Sequence, residues 1–237
     1  MNCYDFHIHS AFSEGESTIE QIAKRAKLLG FKGICFAEYF KNEDQIPKLK
    51  KEIQSAEKKE KIKIYLGFEA RNSAELKKLK QIRKKYDVLL VRGGNLDLNR
   101  KAVETKQVDI LTHPELDQKN SGFNHVMAKL ARKNNVAIEI NFRQVLQSYK
   151  GTRAHILKKM ATNVMLCKKY KVPVVICSGG ISHLHLKDPL ILSSIGTLLG
   201  LEIKQAKDAI SKTPENIIKM IRKRQSKKWI MPGVEIE

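Results

Sequence analysis

The sequence predicts an α/β fold closed as a distorted TIM-like (β/α) barrel, and three observations carry that expectation. Short apolar, β-branched runs alternate with helical patterns through most of the 237 residues, the signature of βα units around a parallel sheet. No Ser/Gly-rich linker or composition break divides the chain, so it reads as one domain over 1–224 followed by a short tail, 225–237. Neither GxGxxG after the first strand nor GxxxxGK[ST] is present, and Gly93-Gly94 and Gly179-Gly180 are too sparse to stand for either. Open doubly wound sheets are marked by such loops, so closure is the better reading of the alternation.

Seven strands are expected: Cys3–His7, Gly33–Ala37, Lys63–Gly67, Val88–Val91, Asp109–Leu111, Val136–Ile140 and Pro173–Cys177. Each is a short apolar run, the form that a strand buried on both faces takes. Between them, apolar residues recur at helical spacing near Thr18–Leu29, Asp44–Glu60, Ser73–Lys85, Asn99–Thr105, Phe123–Asn134 and Thr152–Tyr170. Three more helices follow, near Pro189–Leu199, Ile203–Ser211 and Pro214–Arg224. In the last, Thr213 is the expected N-cap and Pro214 the first helical residue. The four cysteines are scattered with no Cys-x-x-Cys pair, and read as buried thiols. No apolar run approaches the roughly 20 residues of a bilayer span, and residues 1–10 lack the pattern of a secretory signal. The expectation is a cytoplasmic protein with no membrane partner.

Charge narrows the function. Lys and Arg number 45 against 25 Asp and Glu, an excess of +20 that points to a polyanionic partner, nucleic acid before membrane. Lys covers helix surfaces such as Lys48 to Lys63 and Lys77 to Lys85. Half of the ten Arg fall instead near strand-end loops: Arg71, Arg92, Arg100, Arg143 and Arg153. Lys119 and Lys187 occupy the loops after strands five and seven. Guanidinium pairs bidentately with phosphate and stacks on bases, so these seven are the candidate RNA contacts, the main ones being Arg100, Lys119, Arg143, Arg153 and Lys187. The alternative is that Arg71 and Arg92 above all pair with Glu38, Glu69 or Glu139 inside the mouth. Aromatics are 6% of residues and no RNP, KH or zinc-knuckle motif is visible, so phosphate charge and RNA shape are the expected basis of recognition. His125 and His155 read as caps or packed side chains. Trp229, in the tail, has two open readings: a partner anchor or a cover for the barrel.

Polar residues also gather at strand ends, where barrels build their sites. Alternation on the first strand is expected to align Asp5, His7 and His9 on one face, with Tyr4, Phe6 and Ile8 on the other. His-x-His there, with Glu69 and His113 from later strands, resembles the metal site of the polymerase-and-histidinol-phosphatase (PHP) superfamily. That set would suit a divalent ion and phosphoester hydrolysis. Two departures mark it as vestigial: Glu38-Tyr39 stands where the superfamily has Asp-His, and Ser178-Gly179-Gly180 where it has Asp-x-His.

A closer resemblance covers nearly the whole chain. GFNHVMAKLARKNNVAIEINFRQVL (Gly122–Leu146), VDILTHPELD (Val108–Asp117), Cys177-Ser178-Gly179-Gly180 and LSSIGTLLGLEIKQAKDAISKTPENII (Leu192–Ile218) resemble the archaeal and eukaryotic ribonuclease P protein component 3 family. That resemblance implies a PHP-like barrel within the endonuclease that removes 5′ leaders from precursor tRNA. It implies as partners the ribonuclease P RNA, a small ferredoxin-like protein subunit, other ribonuclease P proteins and precursor tRNA. It also implies a chain with no catalytic residues or cofactor of its own, the Mg2+ of the holoenzyme being held by the RNA. A metal-dependent PHP-type phosphoesterase is the alternative.

Overall fold

The computed structural model describes residues 1–226, 229–231 and 234–235. Seven strands lie parallel in sequence order: β1 (Tyr4–Ile8), β2 (Gly33–Glu38), β3 (Lys63–Ala70), β4 (Val88–Arg92), β5 (Ile110–Thr112), β6 (Ala137–Asn141) and β7 (Val174–Cys177). Parallel neighbours need crossovers. These are α1 (Ile19–Leu28), α2 (Gln45–Glu60), α3 (Ser73–Gln81), α4 (Leu96–Glu104), α5 (His125–Asn134), and the pair α6 (Phe142–Gln147) and α7 (Lys150–Tyr170). Then come α8 (Pro189–Leu198), α9 (Ile203–Ile210), α10 (Lys212–Gln225) and a hairpin of β8 (Trp229–Met231) with β9 (Val234–Glu235). The barrel nearly closes: β1 meets β7 through a parallel bridge between Ile8 and Gly180 and a 2.8 Å bond from the His9 N–H to the Gly180 carbonyl. No helix among the described residues is long and apolar enough to cross a membrane.

Two cores result. Outward strand residues such as Ile34, Phe36, Leu66, Leu89, Leu111 and Ile138 pack against the helices. Inward ones, Phe6, Cys35, Ala37, Tyr65, Leu90, Ile110 and Val175, fill the barrel, and Ile217, Ile218 and Ile221 of α10 join them. Tyr4, Tyr65 and Val88 sit at strand starts, so α10 closes the N-terminal end. Each of its buried isoleucines contributes about 1.5–3 kcal/mol. All four cysteines are buried and free.

A charged triad fastens this end. Asp109, 7% exposed, pairs with Arg83 at 2.5 Å and with Arg224 of α10 at 2.9 Å, and accepts the Leu89 N–H at 2.8 Å. Arg83 also donates to the carbonyls of Tyr86, Asp87 and Gln107, which satisfies its buried guanidinium.

The structure corrects several expectations. Strict alternation in β1 fails: the register with β2 shifts between Asp5 and Ile8, so Tyr4 and Phe6 share the barrel interior with His7 above them, while Ile8 faces the helices. A bulge inserts one residue and resets which face a side chain takes. Asp5 leaves the polar stripe and accepts backbone N–H groups from His7 and from Ser178 across the β1–β7 seam. The fourth helix begins at Leu96, earlier than expected, because the Asn95 side chain caps Leu98. The third ends at Gln81, and Arg83–Lys85 form a separate 3-10 turn. Thr213 is not the cap of the last helix, which starts at Lys212. Neither His125 nor His155 caps or packs: Asn124 caps α5, and both histidines are exposed. Trp229 is buried, with Lys84 Nζ 5.2 Å from its ring centroid. Of the expected tail, residues 227–228, 232–233 and 236–237 lie outside the described residues.

Asp109→Ala leaves two nearly buried guanidiniums without their carboxylate. It should cost about 3–5 kcal/mol in urea unfolding. Lys59→Ala, which breaks an exposed pair with Glu20, should leave the midpoint unchanged. Equal effects would show that the triad does not fasten α10.

Candidate functional site

The C-terminal mouth of the barrel is polar, and its central side chains are buried. His7 and Glu69 are the penultimate residues of β1 and β3, His113 follows β5 and Glu139 lies on β6, and none is more than 2% exposed. His7 Nδ1 lies 2.7 Å from Glu139 Oε1, and its Nε2 lies 3.0 Å from His9 Nε2 and 3.6 Å from Glu69 Oε1. Thr112 donates its hydroxyl to Glu69 Oε1 at 2.6 Å, and the His113 N–H donates to Glu139 Oε2 at 3.0 Å. His113 makes that bond from φ +27°, a sparsely populated region for a residue with a side chain.

Charge sorts the three imidazoles. Burial alone would lower the pKa of His7, but the carboxylates of Glu139 and Glu69 outweigh it and raise it. Burial and then the positive charge of His7 push His9 and His113 well below their ordinary value. Burial raises Glu69, with His7 opposing it. Neutral imidazole is the metal-ligating form. Ligand atoms of His7, His9 and Glu69 all lie within 4.8 Å of one another, and Glu69 Oε2 and His113 Nε2 are buried without hydrogen-bond partners. These residues fit one divalent ion, which would supply Lewis-acid activation of water there.

Around that set, other groups are already engaged. Glu38 accepts the hydroxyls of Ser10 and Ser13, both at 2.5 Å, and the Ser10 N–H at 3.0 Å, which pins the loop after β1. Gly15 folds that loop back, and a Cβ there would lie 2.2 Å from the His9 carbonyl oxygen. The Ser178-Gly179-Gly180 segment packs on Asn141: Gly179 has φ +62°, and a Cβ would meet Asn141 Oδ1 at 2.4 Å. Glu14, absent from the sequence reading, organises the rim. It accepts the Tyr39 hydroxyl at 2.6 Å and pairs with Arg143 at 2.8 Å, with His9 Nε2 at 3.4 Å. Burial raises its pKa, but the Tyr39 hydroxyl, His9 and Arg143 outweigh it and hold it near 2. The only sequence signal was its place in the loop after His-x-His.

Five of the seven candidate RNA contacts already have partners within the chain. Arg92 donates to the Tyr39 oxygen at 2.8 Å and lies 3.8 Å from Glu69 and 3.9 Å from Glu14. Arg143, on the unforeseen α6, is held by Glu14. Arg71 is bidentate to Glu75, with its guanidinium 4.5 Å from the Tyr39 ring centroid. Arg100 pairs with Glu104 at 2.9 Å, and Arg153 donates to the Ser148 carbonyl at 2.7 Å. Lys119 is exposed and Lys187 half-buried, and neither makes a hydrogen bond or ion pair among the described residues.

Fold and mouth together define an α/β barrel whose strand-end residues carry, among the described residues, one set of ion ligands, screened by the barrel's own arginines. The likeness to a crystal structure assigned to a histidinol phosphatase of Listeria monocytogenes is one of fold alone: 15% identity, TM-score 0.62, covering 77% of this chain and 97% of that one. The family is closer to hand. Residues 2–226 match the model of RNase P subunit p30, and the chain belongs to that family. It is 36% identical over 236 residues to ribonuclease P protein component 3 of Methanosarcina mazei, covering 98% of this chain and 95% of that protein. It is 37% identical over 174 residues to the same component of Methanocaldococcus jannaschii, covering 72% and 74%. A chain in a cryo-EM structure of archaeal ribonuclease P with mature tRNA superposes with TM-score 0.79 at 33% identity, covering 98% of this chain and 97% of that one.

Behind the mouth lies a second carboxyl that sequence reasoning missed. Glu115, 2% exposed, accepts the Asn163 amide at 3.2 Å, and burial pushes its pKa up to about 8. An acid whose pKa is raised by folding stabilises the fold most below its unfolded pKa of about 4.3, and that contribution fades as pH rises toward 8. Urea midpoints should therefore fall between pH 5 and 8 in the wild type and fall less in Glu115→Gln. Parallel declines would show that another group titrates.

Proposed function

We propose that this chain is a protein subunit of ribonuclease P and supports a catalytic RNA rather than cutting RNA itself. The observation that carries the reading is the match along almost the whole length to a chain of archaeal ribonuclease P, together with an excess charge of +20. In this reading the particle removes 5′ leaders from precursor tRNA, and its Mg2+ is held by the RNA. The partners are that RNA, a small ferredoxin-like protein, other ribonuclease P proteins and precursor tRNA.

The mouth supports a structural role. His7 is tied to Glu139 and screened from solvent. Arg92 and Arg143 place two positive charges beside the imidazoles, which raises the cost of adding a dication. His7→Gln/His9→Gln should accordingly leave precursor tRNA cleavage by the reconstituted particle within about threefold of wild type, a change of under about 1 kcal/mol in barrier. Metal-dependent phosphoesterase activity from the isolated chain, abolished by the same pair of changes, would favour the alternative.

RNA contact is assigned to the segments that follow strands four to seven, where the expected loop positions of Arg100, Arg143 and Arg153 fall on α4, α6 and α7 and only Lys119 and Lys187 lie in loops, with these five as principal contacts and Arg71 and Arg92 behind them. Arg100 and Arg153 are exposed and can exchange their internal partners for phosphate. Alanine at each of the five should weaken RNA-dependent cleavage more than alanine at Lys50 or Lys58 on the exposed side of α2. Equal losses would reduce the interaction to diffuse charge. Affinity should also fall by roughly 10³-fold between 50 and 200 mM salt if about six phosphates are neutralised. A flat response would refute a phosphate-dominated interface.

A further inference from the structure

At the opposite, N-terminal end of the barrel lies a pocket of about 350 Å³ lined by Tyr4, Lys27, Phe31, Lys32, Lys61, Lys63, Tyr65 and Arg222. Five cations come from four separate places: the end of α1, the turn before β2, the α2–β3 turn with the start of β3, and α10. No acidic residue is in the lining. Lys63 is neutralised by Glu57 at 2.8 Å, and Lys27 Nζ donates to the Lys61 carbonyl at 3.5 Å. Lys32, Lys61 and Arg222 are exposed, and their side chains make no hydrogen bond or ion pair among the described residues.

Helix ends explain only part of this. A lysine in the last turn complements the partial negative charge of a helix C-terminus, which accounts for Lys27 and for Lys61 as the C-cap of α2. It accounts for neither Lys32 nor Arg222. The two tyrosines, each 7% exposed, also line the pocket, and their hydroxyls reach solvent there without a hydrogen-bond partner among the described residues. Two solvent-facing phenol donors thus stand beside three cations that make no ion pair among the described residues, a set of groups that suits a tetrahedral anion.

We propose that this N-terminal pocket binds a backbone phosphodiester of an RNA strand, giving the barrel a second RNA contact opposite its mouth. The inference rests on the RNA-subunit reading above and deepens it. Its strength is a contrast among the arginines: Arg71, Arg92, Arg100 and Arg143 near the mouth are paired with carboxylates, whereas Arg222 is not and shares one pocket with the unpaired Lys32 and Lys61. Phosphate binding here costs no broken ion pair. The Phe31 and Tyr65 rings add apolar walls against which a ribose or base can rest.

The test is binding of the whole chain to a fluorescein-labelled 15-nucleotide single-stranded RNA, followed by anisotropy across a KCl series. Lys32→Glu/Lys61→Glu/Arg222→Glu should weaken binding at least about tenfold at 100 mM KCl and lower the log–log salt slope by about two. Lys50→Glu/Lys51→Glu/Lys77→Glu, an equal change in net charge on exposed helix positions, should weaken it by less than about threefold. Tyr65→Phe removes one donor and no charge, and should weaken binding about two- to fivefold, the value of one hydrogen bond. Equal losses from the two triple sets, or no loss from the pocket set, would overturn the pocket while leaving the subunit reading in place. A wild-type chain that fails to bind this RNA at 50 mM KCl would overturn both.

Discussion

Closing seven parallel strands around a narrow interior is the constraint on which the rest of this structure depends. The ladder that joins β1 through β7 in order does not close between β7 and β1, which share one backbone bridge at Ile8 and Gly180. Side chains complete the seam: Asp5 takes the Ser178 N–H at 3.1 Å, and the bulge that frees it rotates Phe6 and His7 into the barrel together. Without that local irregularity, His7 could not stand above Phe6 and reach Glu139 from β6. Burial pushes Asp5 up to about 6, against the pull of those hydrogen bonds. The seam carboxylate is thus a desolvated acceptor held by the strands it joins.

The two ends of the barrel manage buried charge in opposite ways. At the N-terminal end one carboxylate, Asp109, is shared by Arg83 and Arg224, so a helix rich in cations can press its isoleucines into the interior. At the C-terminal end several carboxylates meet three imidazoles and two guanidiniums. Only one imidazole, His7, gains from protonation there, because each further positive charge is repelled by those already present. Glu14 then links Tyr39, His9 and Arg143 into a rim. The mouth therefore holds its arginines by its own carboxylates, while Lys119 and Lys187 in the loops beside it and Lys32, Lys61 and Arg222 at the other end make no ion pair among the described residues.

This distribution bears on how a basic protein contacts RNA. An excess of +20 attracts phosphate over a Debye length, but contact requires cations that can leave their internal partners cheaply. Arg143, paired at the rim with Glu14, and Lys32, without a carboxylate, differ in that respect although both follow strand or helix ends. Electrostatic steering and specific contact are therefore separate properties here. The first follows from composition and the second from pairing.

The sequence by itself determined the alternation of strands and helices, the seven-strand count, the buried thiols, the basic character and the family blocks that this chain shares. These are legible because they rest on local periodicity, on runs of residue type and on ordered motifs. The polar cluster of His7, His9, Glu69 and His113 was legible too, since strand-end position alone brings those residues to one mouth. Only the tertiary structure decided which charges neutralise one another. Glu14 lies 129 residues from Arg143, and His7 lies 132 from Glu139. Such pairs are set by how the barrel closes, and no local pattern records them. The same holds for the bulge in β1, where one inserted residue reverses a face assignment that strict alternation would make. It holds as well for α10, whose isoleucines read as an ordinary amphipathic stripe until closure leaves an open barrel end that they fill.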